Sequence, residues 1–230
     1  MKSTDFLWAI TGIFFVELIL NMFYNVGFLL YAIFVGIVLI VMENEIYMNK
    51  EEKIFIFLMI IPISRLAEVF ITFDFFWRTL IFYLFIIFLV IYYSIKLKVK
   101  SRPFIGNPAY FIGIALITGA AGIIAKYAFN FEFASLIFLI PVIAYGEEIF
   151  FRGGLQNLTK ESFGVLSILF TSFLYATFSM NLGFGFFVVA FGVSLVISTV
   201  YYFTKNLYIA FLLNLIFHII FFIVSPNMLN

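Results

Sequence analysis

Adjacent glutamates at 147 and 148, an arginine at 152 and the single histidine of the chain, His218, are the residues whose types and spacing could do chemistry. Glu148 and Arg152 are four apart and can pair along a helix. Glu147 points about 100° away on the same helix and is left to face an interior. A carboxylate in that position could act as a general base on water. The alternative is a helix end carrying an interfacial salt bridge, which is worth little. His218 has two readings of its own. It is an interhelical hydrogen-bond partner, typically worth about 0.6 kcal/mol, or it has a catalytic or binding role, the default for an ionisable group at membrane depth. Catalytic zinc usually takes more histidine nitrogens than this chain has, so neither a metal nor a cofactor is expected. There are no cysteines, which removes thiol nucleophiles and disulfides. The two aspartates, Asp5 and Asp74, flank apolar segments, and a two-aspartate mechanism would need them to meet. Arg65 and Glu68, three apart, form a self-neutralising intrahelical pair in this reading, and Glu17 is expected near the membrane edge.

The elements that must hold these residues are apolar helices. Of 230 residues 65% are hydrophobic, 22% aromatic and 11% charged, against about 25% charged in an average soluble domain. That charge cannot clothe a soluble surface, and a mean hydropathy of +1.19 agrees. The net charge of +1 gives no electrostatic case for nucleic acid. A membrane-spanning helix needs about 20 apolar residues. Runs of about that length fall near 6–20, 23–42, 54–73, 78–95, 109–125, 133–151, 163–181, 184–203 and 207–224. The sequence therefore predicts an all-α, polytopic transmembrane bundle of eight or nine helices, the first run being the doubtful one. Placing the basic cluster Lys96, Lys98, Lys100 and Arg102 in the cytoplasm puts ten of the 13 basic residues on that side. The stretch 96–108 is the clearest linker. It separates N-terminal transmembrane helices (1–102) from a C-terminal core (103–230). The polar turn around residue 163 lies midway between Glu147 and Ser179. A hairpin bent there places both at one depth. Asn214 and His218, one turn apart, share a helix face.

The segment Glu147-Glu148-x-x-x-Arg152, followed by Gly153-Gly154-Leu155-Gln156, resembles the first motif of the CAAX-protease and bacteriocin-processing (CPBP or Abi) family of intramembrane endopeptidases. The resemblance covers about 133–224. The second family motif is Phe-x-x-x-His. Here Tyr175 takes the aromatic place and Ser179 the histidine place. The third is His-x-x-x-Asn or Asp, and here Asn214 and His218 stand in exchanged order. The resemblance implies a cavity walled by four C-terminal helices. In it Glu147 activates water, Glu148 and Arg152 balance charge, and Asn214 with His218 polarises the scissile carbonyl. Ser179 can position water by hydrogen bonding but cannot act as a base. The implied partners are membrane lipid and a hydrophobic peptide or membrane-protein substrate, and the implied place is a prokaryotic plasma membrane, crossed several times. The same departures fit a family member without peptidase activity, such as a bacteriocin immunity or peptide-binding protein. A proton-relay transporter using Glu147 and His218 is a third reading, and the chain lacks the repeats that such proteins carry.

Overall fold

The computed structural model describes residues 3–43, 50–96, 139–182 and 184–224. The linker beyond Lys96 and the apolar run 109–125 lie outside the described residues, as does the start of the 133–151 run. Five helices precede the linker: α1 Ser3–Met22, α2 Tyr24–Glu43, α3 Lys50–Leu58, α4 Ile60–Phe70 and α5 Phe75–Lys96. After it come α6 Ile140–Glu148, a π-helical segment Ile149–Gln156, α7 Asn157–Phe163, α8 Leu166–Phe178, a 3-10 turn Ser179–Leu182, α9 Phe184–Thr204 and α10 Leu207–Val224. Every described element is helical, as the apolar runs predict. Among the described residues Phe76–Lys96 and Phe184–Thr204, 21 residues each with mean hydropathy 2.1, are long and apolar enough to cross a membrane. The doubtful first run is a full helix of 20 residues.

Local chemistry sets the boundaries. The 54–73 run breaks at Met59 because Pro62, three residues on, has no N–H to give the carbonyl of Leu58. The Asp74 carboxylate accepts the Trp77 N–H at 3.1 Å and caps α5. Gly164, at φ +56°, closes α7 in the left-handed region that glycine enters without strain. The Asn206 side chain accepts the Tyr208 N–H at 2.9 Å and starts α10. Pro141 sits in the first turn of α6, where its missing N–H is harmless.

The segment from α6 into the π-helix is the centre of the bundle. It touches α3, α5, α8, α9 and α10, and all eight residues of Ile149–Gln156 are buried. Between helices in lipid there is little hydrophobic gain, so close packing and hydrogen bonds must hold the bundle. Gly154 shows how tightly. A β-carbon there would come within 2.3 Å of the Phe57 ring of α3. Around this axis runs an aromatic core that includes Phe57, Phe82, Phe150, Phe151, Tyr175 and Phe178.

Candidate functional site

The last residues of α6 bring the acid pair into the interior, and the two acids meet different surroundings. Glu148 is fully buried and accepts from the Arg152 guanidinium at 2.8 Å, as the four-residue spacing predicts. Arg152 also donates to the Ser194 hydroxyl of α9 at 2.7 Å, and its guanidinium lies 4.8 Å from the centre of the Tyr175 ring. Both ions are thus paired, which removes the large cost of burying either alone.

Glu147, only 4% exposed, faces no fixed cation. Instead four side chains from three helices converge on it. The Tyr83 hydroxyl of α5 donates to Oε1 at 3.1 Å. On α10, the Asn214 amide donates to Oε2 at 3.0 Å, and His218 Nε2 lies 2.8 Å from the same oxygen. With Glu147 ionised, that contact requires the proton on Nε2. The Tyr175 hydroxyl of α8 is 3.0 Å from Oε2 and 3.2 Å from Asn214 Oδ1, and can give its one proton to either. The imidazole is 15% exposed. Phe151 packs edge-on against the Tyr175 ring at 5.2 Å, and Gly146 leaves room for the Tyr83 ring, 3.0 Å from where its β-carbon would be.

Of the six residues singled out in the sequence, Glu147, Asn214 and His218 meet directly, and Glu148 with Arg152 flanks them. Ser179 does not join them. Its hydroxyl donates to the Tyr175 carbonyl at 2.9 Å, one turn back on its own helix. The residue that reaches Glu147 is Tyr175, one turn nearer the hairpin tip. The cause lies in the π-helical stretch. Its wider turns advance less per residue than α turns, so Glu147 sits closer to the tip than a uniform α rise predicts. Glu147 is also not left open to an interior, since both of its oxygens are occupied. Tyr83 carried no sequence signal beyond being one of 13 tyrosines. Tyr175 stands in the aromatic place of the second motif, a place that signals a ring and says nothing of a hydroxyl.

A second buried cluster joins the N-terminal helices to the end of α8. Arg65 donates from Nε to Glu17 at 2.9 Å and from Nη1 to Glu68 at 3.0 Å, and its third nitrogen donates to the Phe178 carbonyl. The Arg65–Glu68 pair therefore forms as expected. Glu17, expected near the membrane edge, is 1% exposed and buried against this arginine. Asn21 donates to the Met180 carbonyl beside it. These two donors reach the carbonyl of Phe178, the last residue of α8, and that of Met180 in the 3-10 turn that follows.

Residues 129–220 match the family model described as type II CAAX prenyl endopeptidase Rce1-like. The matched segment contains Glu147, Tyr175, Asn214 and His218, and excludes Tyr83. No curated protein and no solved structure matches the chain.

Proposed function

We propose that this chain, of the CAAX-protease type over residues 129–220, is a multi-pass endopeptidase of a prokaryotic plasma membrane that hydrolyses a peptide bond at the Glu147 cluster. The observation that carries the reading is the convergence on one carboxylate oxygen of Asn214 at 3.0 Å and His218 at 2.8 Å from a helix 67 residues away in sequence. A buried acid ringed by movable donors suits water activation. The water oxygen attacks the carbonyl carbon, and Glu147 takes the water proton and passes it to the departing amine nitrogen. Asn214 and His218, turned from Glu147 to the carbonyl oxygen, supply the donors that stabilise the developing negative charge. Tyr83 and Tyr175 keep the carboxylate in place, and Glu148 with Arg152 holds the charge balance beside it. Membrane lipid surrounds the bundle, and a hydrophobic peptide or membrane protein is the substrate.

A second reading is favoured by one observation. Ser179, in the place of the family's second histidine, is turned onto its own helix, and both Glu147 oxygens carry partners. That suits a non-catalytic bacteriocin immunity or peptide-binding protein. Cleavage of a peptide library by the purified chain, compared with Glu147→Gln, Asn214→Ala and His218→Ala, decides between them. Cleavage by wild type that is lost in Glu147→Gln supports the peptidase. No cleavage by wild type, with cells still protected from a peptide toxin, overturns it in favour of immunity.

A further inference from the structure

Toward the turn at residue 163 from the Glu147 cluster, the π-helical segment, α8 and α9 bring together buried polar groups that the cluster does not use. Six buried side-chain polar atoms among the described residues have no hydrogen-bond partner, and four of them are here: Glu148 Oε2, Arg152 Nε, Gln156 Oε1 and Thr171 Oγ1. All four side chains belong to fully buried residues. The groups around them are polar too. Gln156 donates to the Ser198 carbonyl at 2.8 Å, Ser172 to the Ser198 hydroxyl at 3.3 Å, and Asn157 to the Tyr201 hydroxyl at 2.8 Å.

The arrangement has a direction. Residues 148, 152, 156 and 160 recur every four positions and form one file, faced by Ser194, Ser198, Tyr201 and Tyr202 on α9. At one end Lys160, half-buried, donates to the Tyr202 carbonyl at 2.9 Å beside the exposed turn. At the other end Arg152 lies against the Tyr175 ring, whose hydroxyl is on Glu147. A dry seam would leave each orphaned group with its full desolvation cost. Proteins commonly meet that cost with bound waters where a buried site is polar and has room for them. An apolar lining would serve packing alone equally well.

We propose that this seam is a water-binding site, a file of bound waters on Glu148, Arg152, Gln156 and Thr171 that supplies the Glu147 cluster from the Lys160 end. The water binding stands on the orphaned atoms, while supply of a hydrolytic water rests on the peptidase reading. Radiolytic hydroxyl-radical labelling of the full chain in lipid nanodiscs tests the first part. Tyr201, 6% exposed, is compared with Phe82 and Phe186, 6% and 7% exposed in the aromatic core. Tyr201 is expected to label several-fold faster than either ring. Thr171→Val is expected to slow that labelling and to lower Tm by a few degrees, whereas Thr171→Ser keeps both near wild type. Labelling of Tyr201 at the rate of the two phenylalanines overturns the proposal. So does a rise in Tm for Thr171→Val, because a methyl that replaces a dry, unpartnered hydroxyl is stabilising. Neither readout needs cleavage, so a chain that cleaves nothing sinks the peptidase reading and leaves the water site to be decided by labelling.

Discussion

Glu17 and Glu147 are both carboxylates buried in the bundle, and the chain neutralises them in opposite ways. Glu17 is clasped by a guanidinium that stays charged at any relevant pH. The same arginine ties α1 and α4 to the end of α8, so its geometry is over-determined. Glu147 is surrounded by two phenols, an amide and an imidazole, with no permanent cation among its partners. Those donors can each turn to another acceptor. Glu148, held by Arg152, belongs with Glu17 although it is next to Glu147 in sequence. Burial alone therefore does not distinguish the acids of this bundle. The kind of partner each is given does.

That contrast can be broken at several points. The largest effect is expected where a fixed cation is removed. Arg152→Leu and Arg65→Leu each strand a buried carboxylate and should cost about 3–5 kcal/mol in unfolding measurements, with Glu148→Leu recovering much of the Arg152→Leu loss. If either variant melts like wild type, that pair is not a clasp. At the other acid the loss should be of function rather than fold. Glu147→Gln is expected to lower peptide cleavage at least about 10²-fold, the usual scale for a general base, while the protein still purifies as a folded bundle. A Glu147→Gln variant that unfolds would move Glu147 into the structural class. Gly154→Ala pushes a methyl into the Phe57 ring and should cost about 1–3 kcal/mol by thermal unfolding. Tyr83→Phe removes one donor of four and should cost about 0.5–1.5 kcal/mol. Ser179→Ala, which loses a bond only to its own helix, should change Tm least, by the equivalent of about 0.5 kcal/mol, the low end for one hydrogen bond. A large loss of cleavage in Ser179→Ala would return that serine to the centre.

Much of the architecture could be read from hydropathy alone, because long apolar runs in a chain with so few charges have one stable outcome. The run at 184–203 matches Phe184–Thr204 and the run at 207–224 matches Leu207–Val224. The 54–73 run differs, since hydropathy does not register the missing N–H of Pro62 that splits α3 from α4. The site was partly legible for a related reason. Glu148 and Arg152 interact along one helix, where spacing fixes geometry, and Asn214 with His218 share a face by the same rule. Equal spacing from the hairpin tip does not bring Ser179 to Glu147, because the π-helical stretch Ile149–Gln156 does not keep the uniform rise of an α-helix. Tyr83 was invisible because its link to Glu147 spans the linker, and no local pattern encodes a contact between residues 64 positions apart.

The reach of Tyr83 from α5 has a consequence for inheritance. The segment that resembles a protease family begins well after α5, yet the acid at its heart takes one of its hydrogen-bond donors from that earlier helix. A chimera that grafts the C-terminal segment onto foreign leading helices would carry every matched residue of 129–220 and still lack a phenol on its glutamate. In natural variants, changes at position 83 should be answered by changes around position 147, which would tie the front of this chain to the Glu147 cluster rather than leave it a detachable anchor.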